Sequence, residues 1–502
     1  MNYTITIYPK QEKIQAKSGE ILLDVLARYG YYLSADCGGK GTCGKCKVRL
    51  LKGKVDSVIP DENGDVLSCK ARVKGDLEIS LSAHLMMEKG SGVDVFQSIK
   101  MQGDADGLGV ILDVGTTTLV ACLVDLHTGE TLGKRSAINP QGVYGADVLS
   151  RIQACQEGKL PLLQSAILQK SKDMIDDLAQ GREIKQLIVA ANTTMLHIFL
   201  GVNPQTIGAY PFTPVFTATQ NIAGKSLGLP VEKVRLLPSA SGYIGSDITA
   251  GTLACLTENA QKTQLFVDVG TNGEVVLSHQ GKFYTASTAA GPALEGACIE
   301  CGMGGVAGAI DKVWTENGKL LFTTIDGVTA QGICGSGLID CIAVLLQEGI
   351  LDESGALEEN AKSALIGRLV DGAFYLTENV YVSQKDIRQF QLAKSAISAG
   401  IQTLLKECNV CADDVETLCI AGSLGYYMNV KNAALTGLIP KSLCEKIKTV
   451  GNTALSGARL CLLRDEKQQE IEKIATKMQN IELSFSKFFQ DLYVENMLFD
   501  IE

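Results

Sequence analysis

The stretch "GVILDVGTTTLVACLVD", residues 109–125, consists of an apolar strand, an Asp-Val-Gly-Thr turn and a second apolar strand. The same pattern returns as "LFVDVGTNGEVVLSHQG" at residues 265–281. Apolar runs of this length, bounded by turn residues, are typical of buried strands. One such turn is weak evidence, because many ordinary hairpins contain Gly-Thr. Two copies predict two similar subdomains that face each other across a cleft.

The bulk composition excludes several classes of function. The chain has 502 residues, too many for a single hydrophobic core, and a formal net charge of -10. That charge argues against nucleic acid as the main ligand, because binding to phosphates requires a basic face. The sequence has no apolar run of about 18 residues and no secretory leader, so we expect a cytoplasmic protein that does not enter a membrane. Its 16 cysteines should therefore be reduced, and most should be small buried residues.

One cysteine group has the spacing of ligands. Cys37, Cys43 and Cys46 lie in the glycine-rich stretch "SADCGGKGTCGKCKVRL", and Cys69 follows later. Zinc sites usually contain two CxxC pairs, or CxxC plus histidine, and this part of the chain has no second CxxC. Zinc is the alternative reading. The loop resembles that of a [2Fe-2S] ferredoxin domain, with one extra residue in the first gap, and this resemblance implies that the four cysteines hold a [2Fe-2S] cluster.

The order of predicted elements suggests five segments. Residues 1–85 have a β-β-α-loop-β pattern, and residues 86–107 are polar, glycine-rich and aperiodic, as in a linker. The two repeat copies predict two similar subdomains, I and II, over residues 108–260 and 261–460. A charged and then aromatic tail predicts a helical extension over 461–502.

Four glycine-containing motifs occur after the linker in a set order. Backbone N–H groups in the two turns are expected to cradle phosphates, and Asp113 and Asp268 are placed to hold hydrated Mg²⁺. "GICGSGLID" opens a helix at an anion or ribose site, and "LCIAGSLGYY" ends a strand in a turn where adenine could lie. Together the motifs resemble those of the sugar kinase, actin and heat-shock-chaperone ATPase superfamily, which implies an actin-like, ribonuclease-H-like fold. By that resemblance the ATP-binding residues are Gly115, Thr116, Thr117, Thr118, Gly270, Thr271, Asn272, Gly273, Gly335, Ser336, Gly337, Gly422 and Ser423.

Three further groups have two readings each. Asp247 could orient the water that attacks ATP, but a helix cap or a solvated carboxylate fits equally well. The pairs Cys298/Cys301 and Cys408/Cys411 could form a four-cysteine metal site, but buried unligated thiols are the better expectation. His197 could bind cobalt, but a core histidine is favoured.

Taken over nearly its whole length, the chain resembles the reductive activators of corrinoid-dependent methyltransferases. Long stretches carry that resemblance, among them "NPQGVYGADVLSRI" (139–152), "ANTTMLHIFLGVNP" (191–204) and "SQKDIRQFQLAKSAISAGI" (383–401). The fold class it implies is a multidomain α/β and α+β protein, in which a β-grasp [2Fe-2S] ferredoxin domain precedes a two-subdomain actin-like ATPase.

The implied activity is that of an ATP-dependent corrinoid reductase. An electron passes from the cluster to a corrinoid protein and converts Co(II) to Co(I), with ATP hydrolysis as the driving force and Mg²⁺ as its metal. The partners implied are that corrinoid protein and a low-potential electron donor, and a homodimer is left open. Two alternatives remain: an iron–sulfur donor that activates a dehydratase or reductase, and a ferredoxin whose second part only senses nucleotide and binds a partner.

Overall fold

The computed structural model describes residues 2–8, 11–31, 33, 39–42, 44, 46–81, 102–256, 261–296, 298–422, 424 and 428–500. These residues fall into two compact units. The first comprises residues 1–89, 106–125 and 131–236, and the second comprises residues 90–105, 126–130 and 237–502.

The N-terminal part of the first unit is a small mixed sheet. Its five strands have the order β2-β1-β7-β3-β5, and β1 pairs antiparallel with β2 and parallel with β7. A two-stranded ribbon, β4–β6, and the helix α1 (Leu22–Arg28) accompany it. The strands are β1 (Asn2–Tyr8), β2 (Glu12–Lys17), β3 (Lys47–Lys52), β4 (Val55–Asp56), β5 (Asp65–Leu67), β6 (Arg72–Val73) and β7 (Leu77–Ser80).

A six-stranded sheet forms the rest of the first unit, in the order β10-β9-β8-β11-β13-β12. Strands β8 and β9 are nearly all apolar and buried on both faces, as expected for a central hairpin. The strands are β8 (Leu108–Val114), β9 (Thr118–Asp125), β10 (Thr131–Ile138), β11 (Gln186–Ala191), β12 (Gln220–Ala223) and β13 (Lys233–Leu236).

Three helices join these strands, and two of them begin at a capping residue. The N-caps of α2 (Val148–Ala154) and α4 (Thr193–Leu200) are Asp147 and Asn192, whose side chains accept backbone N–H groups. Between α2 and α3 (Leu160–Ala179) the chain makes one π turn, Cys155–Lys159.

The second unit is built on another six-stranded sheet, in the order β24-β23-β14-β15-β16-β25. It repeats the central feature of the first: a long antiparallel hairpin, β14–β15, next to a parallel neighbour, β23. Two three-stranded sheets, β18-β17-β19 and β20-β21-β22, complete the unit. The strands are β14 (Gln264–Val269), β15 (Gly273–His279), β16 (Lys282–Thr288), β17 (Ala309–Glu316), β18 (Lys319–Thr324), β19 (Gly332–Ile333), β20 (Leu369–Val370), β21 (Ala373–Tyr375), β22 (Tyr381–Ser383), β23 (Thr417–Ala421), β24 (Ile447–Gly451) and β25 (Met478–Asn480).

The helices of the second unit pack around a core that includes the longest of them, α7. A capping box between Ser383 and Asp386 starts α7, whose buried side chains recur at helical spacing. Across the described ranges, no helix is long and apolar enough to cross a membrane. The helices are α5 (Ser246–Cys255), α6 (Gly335–Gln347), α7 (Gln384–Glu407), α8 (Val430–Leu435), α9 (Thr453–Leu463), α10 (Asp465–Lys477) and α11 (Lys487–Glu495).

The structure confirms the two predicted hairpins and the predicted mixture of α/β and α+β architecture. It changes the description of the tail. Residues 461–502 were expected to be helical, but β25 lies among them and pairs parallel with β16, so this segment also completes the sheet of the second unit. The predicted linker lies mostly outside the described residues.

Candidate functional site

The first Gly-Thr turn is held from one side through its carbonyl groups. Asn139 donates its side-chain amide to the Gly115 carbonyl (2.8 Å) and its backbone N–H to the Thr117 carbonyl (2.8 Å). The Arg151 guanidinium donates to the carbonyl of Thr116 (2.5 Å). In a planar trans peptide the N–H points opposite to the C=O. The N–H groups of Thr116 and Thr117 therefore point away from Asn139 and Arg151, as an anion-binding turn requires.

The side chains around this turn are suited to a polar ligand. Asn192 donates to the Thr116 hydroxyl (3.2 Å), which fixes that hydroxyl beside the backbone N–H groups. Thr117 and Thr118 are exposed, and Gly115 and Asp113 are half-buried. Asp113 is the penultimate residue of β8, so its carboxylate stands where the strand meets the turn.

The second Gly-Thr turn lies in the other unit and is held differently. The Gly270 N–H donates to the Asn272 carbonyl (3.0 Å), and the Thr271 hydroxyl donates to a carboxylate oxygen of Glu295 (3.0 Å). Gly273 is buried, and a Cβ there would lie 2.8 Å from both Ile397 and the Thr288 hydroxyl. Only glycine fits that position without displacing the core.

Three carboxylates converge at the end of β14. Asp268 and Glu274 are direct cross-strand partners in the β14–β15 hairpin, which places two like charges side by side. Asp247, the second residue of α5, accepts the N–H of Ile248 (2.8 Å), and its charge acts on both of them. It is not the N-cap of α5, because Gly245 holds that position.

Burial raises the pKa of every member of this group, and repulsion from neighbouring carboxylates adds to the rise for Asp268 and Glu274. Burial raises the pKa of Asp247 to about 6. Burial first, then the charges of Asp247 and Glu295, raise the pKa of Asp268 to about 7. Burial, Asp247 and Asp268 raise the pKa of Glu274 well above its usual range. At neutral pH the group therefore retains protons.

The other predicted nucleotide residues have mixed surroundings. A Cβ on Gly422 would lie 2.9 Å from the Val269 carbonyl and 3.1 Å from an Asp268 carboxylate oxygen, so the glycine turn after β23 lies against the end of β14. Cβ atoms on Gly335 and Gly337 would lie 2.0 Å and 2.2 Å from backbone carbonyls. These glycines therefore allow the start of α6 to pack closely against the neighbouring backbone.

Ser336 and Ser423 are the two serines of this set. The buried Ser336 hydroxyl donates to the Asp311 carbonyl (2.9 Å), so its proton is already used inside the protein. Ser423 lies outside the described residues.

The structure brings together the two cluster cysteines that it describes. Cys46 and Cys69 are both buried, and the hydrogen bond from Cys69 is the main reason that the pKa of Cys46 falls to about 6. A lowered thiol pKa favours the thiolate, which is the form that binds metal. Gly39 and Gly41 have positive φ values of 84° and 79°, a conformation that glycine adopts without strain. Cys37 and Cys43 lie outside the described residues.

The remaining cysteines and His197 do not form a metal site. No group of three or more His, Cys, Asp or Glu residues among the described parts of the chain could hold a metal ion. Cys298 and Cys411 are exposed, so the expectation that the CxxC thiols are buried is wrong for these two. His197 is fully buried, bonds to the Thr193 carbonyl (2.7 Å) and accepts the Val215 N–H (3.1 Å), which confirms a core role.

Sequence reasoning missed several residues that shape these sites. Glu274 follows directly after the second turn, and a carboxylate in that position was a readable signal. Glu295, Asn139 and Asn192 gave no signal, because only tertiary contacts bring them to the turns. Arg151 lies in a stretch that reads as an ordinary amphipathic helix.

Three family models match the chain in succession. Residues 5–74 match the "2Fe-2S iron-sulfur cluster binding domain", and residues 108–259 match the "RACo middle region". Residues 262–502 match the "C-terminal domain of RACo the ASKHA domain".

Comparison with whole proteins gives similarity from end to end. The "Corrinoid activation enzyme RamQ" of Eubacterium limosum is 30% identical, over 97% of this chain and 98% of that protein. The "[Co(II) methylated amine-specific corrinoid protein] reductase" of Methanosarcina barkeri is 26% identical, over 77% of this chain and 76% of its own length. A solved structure, "Reductive activator for corrinoid,iron-sulfur protein", superposes with a TM-score of 0.73 at 29% identity and covers 99% of this chain and 98% of its own.

Proposed function

This chain belongs to the family of reductive activators of corrinoid proteins, and from that premise we propose that it returns the Co(II) corrinoid of a partner protein to Co(I) at the expense of ATP. The electron balance is simple: Co(II) gains one electron, and an iron–sulfur cluster held by the cysteines of this chain would supply it. A [2Fe-2S] cluster, when bound, supplies that one-electron chemistry. A low-potential donor upstream must then return an electron to the cluster.

One observation carries the proposal: a single chain contains a buried cysteine pair at ligand positions and two Asp-x-Gly-Thr turns. A relative that matches this chain from end to end is named for corrinoid activation, and one that matches over 77% of this chain is named for the reduction of a Co(II) corrinoid protein. The donor set of Cys46 and Cys69 fits an iron–sulfur cluster, because both thiols are buried and adjacent. We assign Cys37 and Cys43 as the other two ligands.

For the nucleotide, we assign phosphate binding to the N–H groups of Thr116 and Thr117 in the first turn and of Thr271 and Asn272 in the second. The Gly115 and Gly270 N–H groups are not assigned to it, because they donate to carbonyls within their own turns. Asp113 beside the first turn and Asp268 beside the second are assigned to hydrated Mg²⁺, which prefers carboxylate and water oxygens. Asp247 is assigned to orient the attacking water, because its raised pKa and the neighbouring carboxylates suit it to accept a proton near neutral pH. Gly422 and Ser423 are assigned to the adenosine side.

The thiols and the composition favour a cytoplasmic setting, since cysteines that serve as ligands must stay reduced. The homodimer stays a prediction, for which sedimentation of the purified protein is the measurement.

The experiment is an anaerobic reduction assay. The protein, its cluster reduced chemically, is mixed with a Co(II) corrinoid protein in the presence of ATP, ADP or no nucleotide. We expect loss of the Co(II) EPR signal and growth of Co(I) absorbance only with ATP. If ATP hydrolysis stays at its background rate with both proteins present, the result would favour the alternative in which the second part of the chain only senses nucleotide. Reduction of a dehydratase but not of Co(II) would favour the alternative in which the protein activates a dehydratase or reductase.

A further inference from the structure

The cysteine loop and the first Gly-Thr turn both contact one short segment of the first unit, residues 139–159, which we call the relay segment. On one side, the N-terminal β-grasp sheet and the six-stranded sheet share a continuous hydrophobic cluster, and α1 contacts the turn at Pro140–Val143. Lys40, between the cluster positions Cys37 and Cys43, donates to the side chain of Gln153 in α2 (2.8 Å). The Asp24 carboxyl of α1 also feels the charge of Lys159.

The other side of the relay segment holds the turn. Asn139 begins the segment and bonds to Gly115 and Thr117. Arg151, only 1% exposed, reaches the Thr116 carbonyl from the middle of α2. The same guanidinium also donates to the Gly145 carbonyl (3.0 Å), the Gln141 side chain (3.3 Å) and the Met195 sulfur (3.2 Å).

The geometry of α2 connects these two sides. Arg151 and Gln153 are two residues apart, which corresponds to about 200° around an α-helix, so they lie on opposite faces. The inner face meets the turn and the outer face meets Lys40. A capping box between Asp147 and Ser150 fixes the start of α2, and a π turn containing Gly158 follows its end.

The Arg151 contact also has an electrical consequence. The carbonyl of Thr116 and the N–H of Thr117 belong to one peptide group. A cation that donates to the carbonyl polarises that group and strengthens its N–H as a donor to phosphate. A phosphate bound at this N–H would act on Arg151 through the same peptide group.

We propose that the relay segment couples nucleotide binding at the Gly115–Thr118 turn to the surroundings of the cysteine loop, with Arg151 as the positioning residue. The proposal rests on the function given above, because it needs both a nucleotide and a cluster. Coupling of this kind is reciprocal, so a change at the loop also changes nucleotide affinity by the same factor.

The test compares Arg151→Lys with Arg135→Lys, an exposed arginine of the same unit that pairs with Asp177. The affinity of each protein for a non-hydrolysable ATP analogue is measured first. The EPR spectrum of the reduced cluster and hydrogen exchange in the peptide spanning residues 39–50 are then measured with and without the analogue. In the wild type and in Arg135→Lys, the analogue should change both the spectrum and the exchange. In Arg151→Lys we expect unchanged iron content and an affinity for the analogue that is weakened by about tenfold, which is within the usual range of coupling. When this variant is saturated with the analogue, neither the EPR spectrum nor the hydrogen exchange should change.

Two exposed-site variants keep the proposal testable if Arg151→Lys fails to fold. Lys40→Met and Gln153→Ala leave the Gly115–Thr118 turn intact. Each should reduce the change that the analogue causes in the EPR spectrum of the cluster, without lowering the stability of the fold. A full response in Arg151→Lys, or in both exposed-site variants, would overturn the coupling. So would a wild type that binds nucleotide and holds the cluster yet shows no response. A wild type that binds no nucleotide would instead refute the proposed function itself.

Discussion

Replacement of Asp268 by asparagine should stabilise the protein without Mg²⁺ and at the same time abolish its activity. Asp268 lies directly across from Glu274 and within reach of the charge of Asp247. Its pKa rises from 3.8 to about 7 in the folded protein, mainly because of burial. Asparagine has nearly the same shape and carries no charge, so it removes the repulsion and keeps the packing.

The magnitude follows from the pKa change. A rise of about 3 units corresponds to about 4 kcal/mol, at 1.36 kcal/mol for each unit. The carboxylates are partly exposed and share their protons, so about 2 kcal/mol is the working value. The sign follows from linkage. The folded protein binds the proton more tightly than the unfolded chain, so this contribution is favourable at low pH and is lost as the pH rises from about 4 to about 7.

The assay is thermal unfolding between pH 5 and pH 8 without divalent cations. The melting temperature of Asp268→Asn should exceed that of the wild type at pH 8, and the difference should shrink towards pH 5. Added Mg²⁺ with ATP should raise the melting temperature of the wild type more than that of the variant. Asp413→Asn, an exposed carboxylate of the same unit, serves as the control and should show no such trend. A variant less stable than the wild type at pH 8 would refute this electrostatic interpretation.

Three further substitutions test separate parts of the structure. Gly422→Ala would put a Cβ 2.9 Å from the Val269 carbonyl at a φ of 90°, so calorimetry should show a loss of about 1–3 kcal/mol together with weaker nucleotide binding; unchanged binding would contradict the placement of this turn. Cys69→Ser should remove the visible absorbance of the cluster while the protein still binds nucleotide, and a full spectrum would exclude Cys69 as a ligand. Lys394→Met removes the ammonium that bonds to the Asn496 and Leu498 carbonyls (2.6 Å each), so limited proteolysis should cut the C-terminal residues much faster, at a cost of about 1–3 kcal/mol for each unpaired carbonyl; equal cutting rates would show that this contact does not hold the tail.

The sequence predicted the parts of the fold that local patterns determine. The hairpins β8–β9 and β14–β15 have long apolar strands around a glycine turn, and α7 combines helical spacing with a cap at Ser383. The cysteine spacing brought Cys46 and Cys69 into one hypothesis, and the structure places them together.

What the sequence did not reveal depends on register and on tertiary contact. The raised pKa values of Asp268 and Glu274 come first from burial and then from the charge of Asp247, and a linear pattern states neither. Arg151 reads as a surface residue of a short helix, yet it is almost fully buried, because four backbone and side-chain groups accept its protons. The exposure of Cys298 and Cys411 likewise depends on tertiary structure, which their CxxC spacing does not determine.

We predict above all that this protein reduces Co(II) only when it can bind and hydrolyse ATP. The decisive measurement is the initial rate of Co(I) formation from a Co(II) corrinoid protein by the chemically reduced wild type and by Asp113→Ala, each with and without ATP. We predict Co(I) only for the wild type with ATP, while Asp113→Ala keeps an unchanged cluster spectrum. Co(I) formation by Asp113→Ala at the wild-type rate, or by the wild type at the same rate without ATP, would contradict the account.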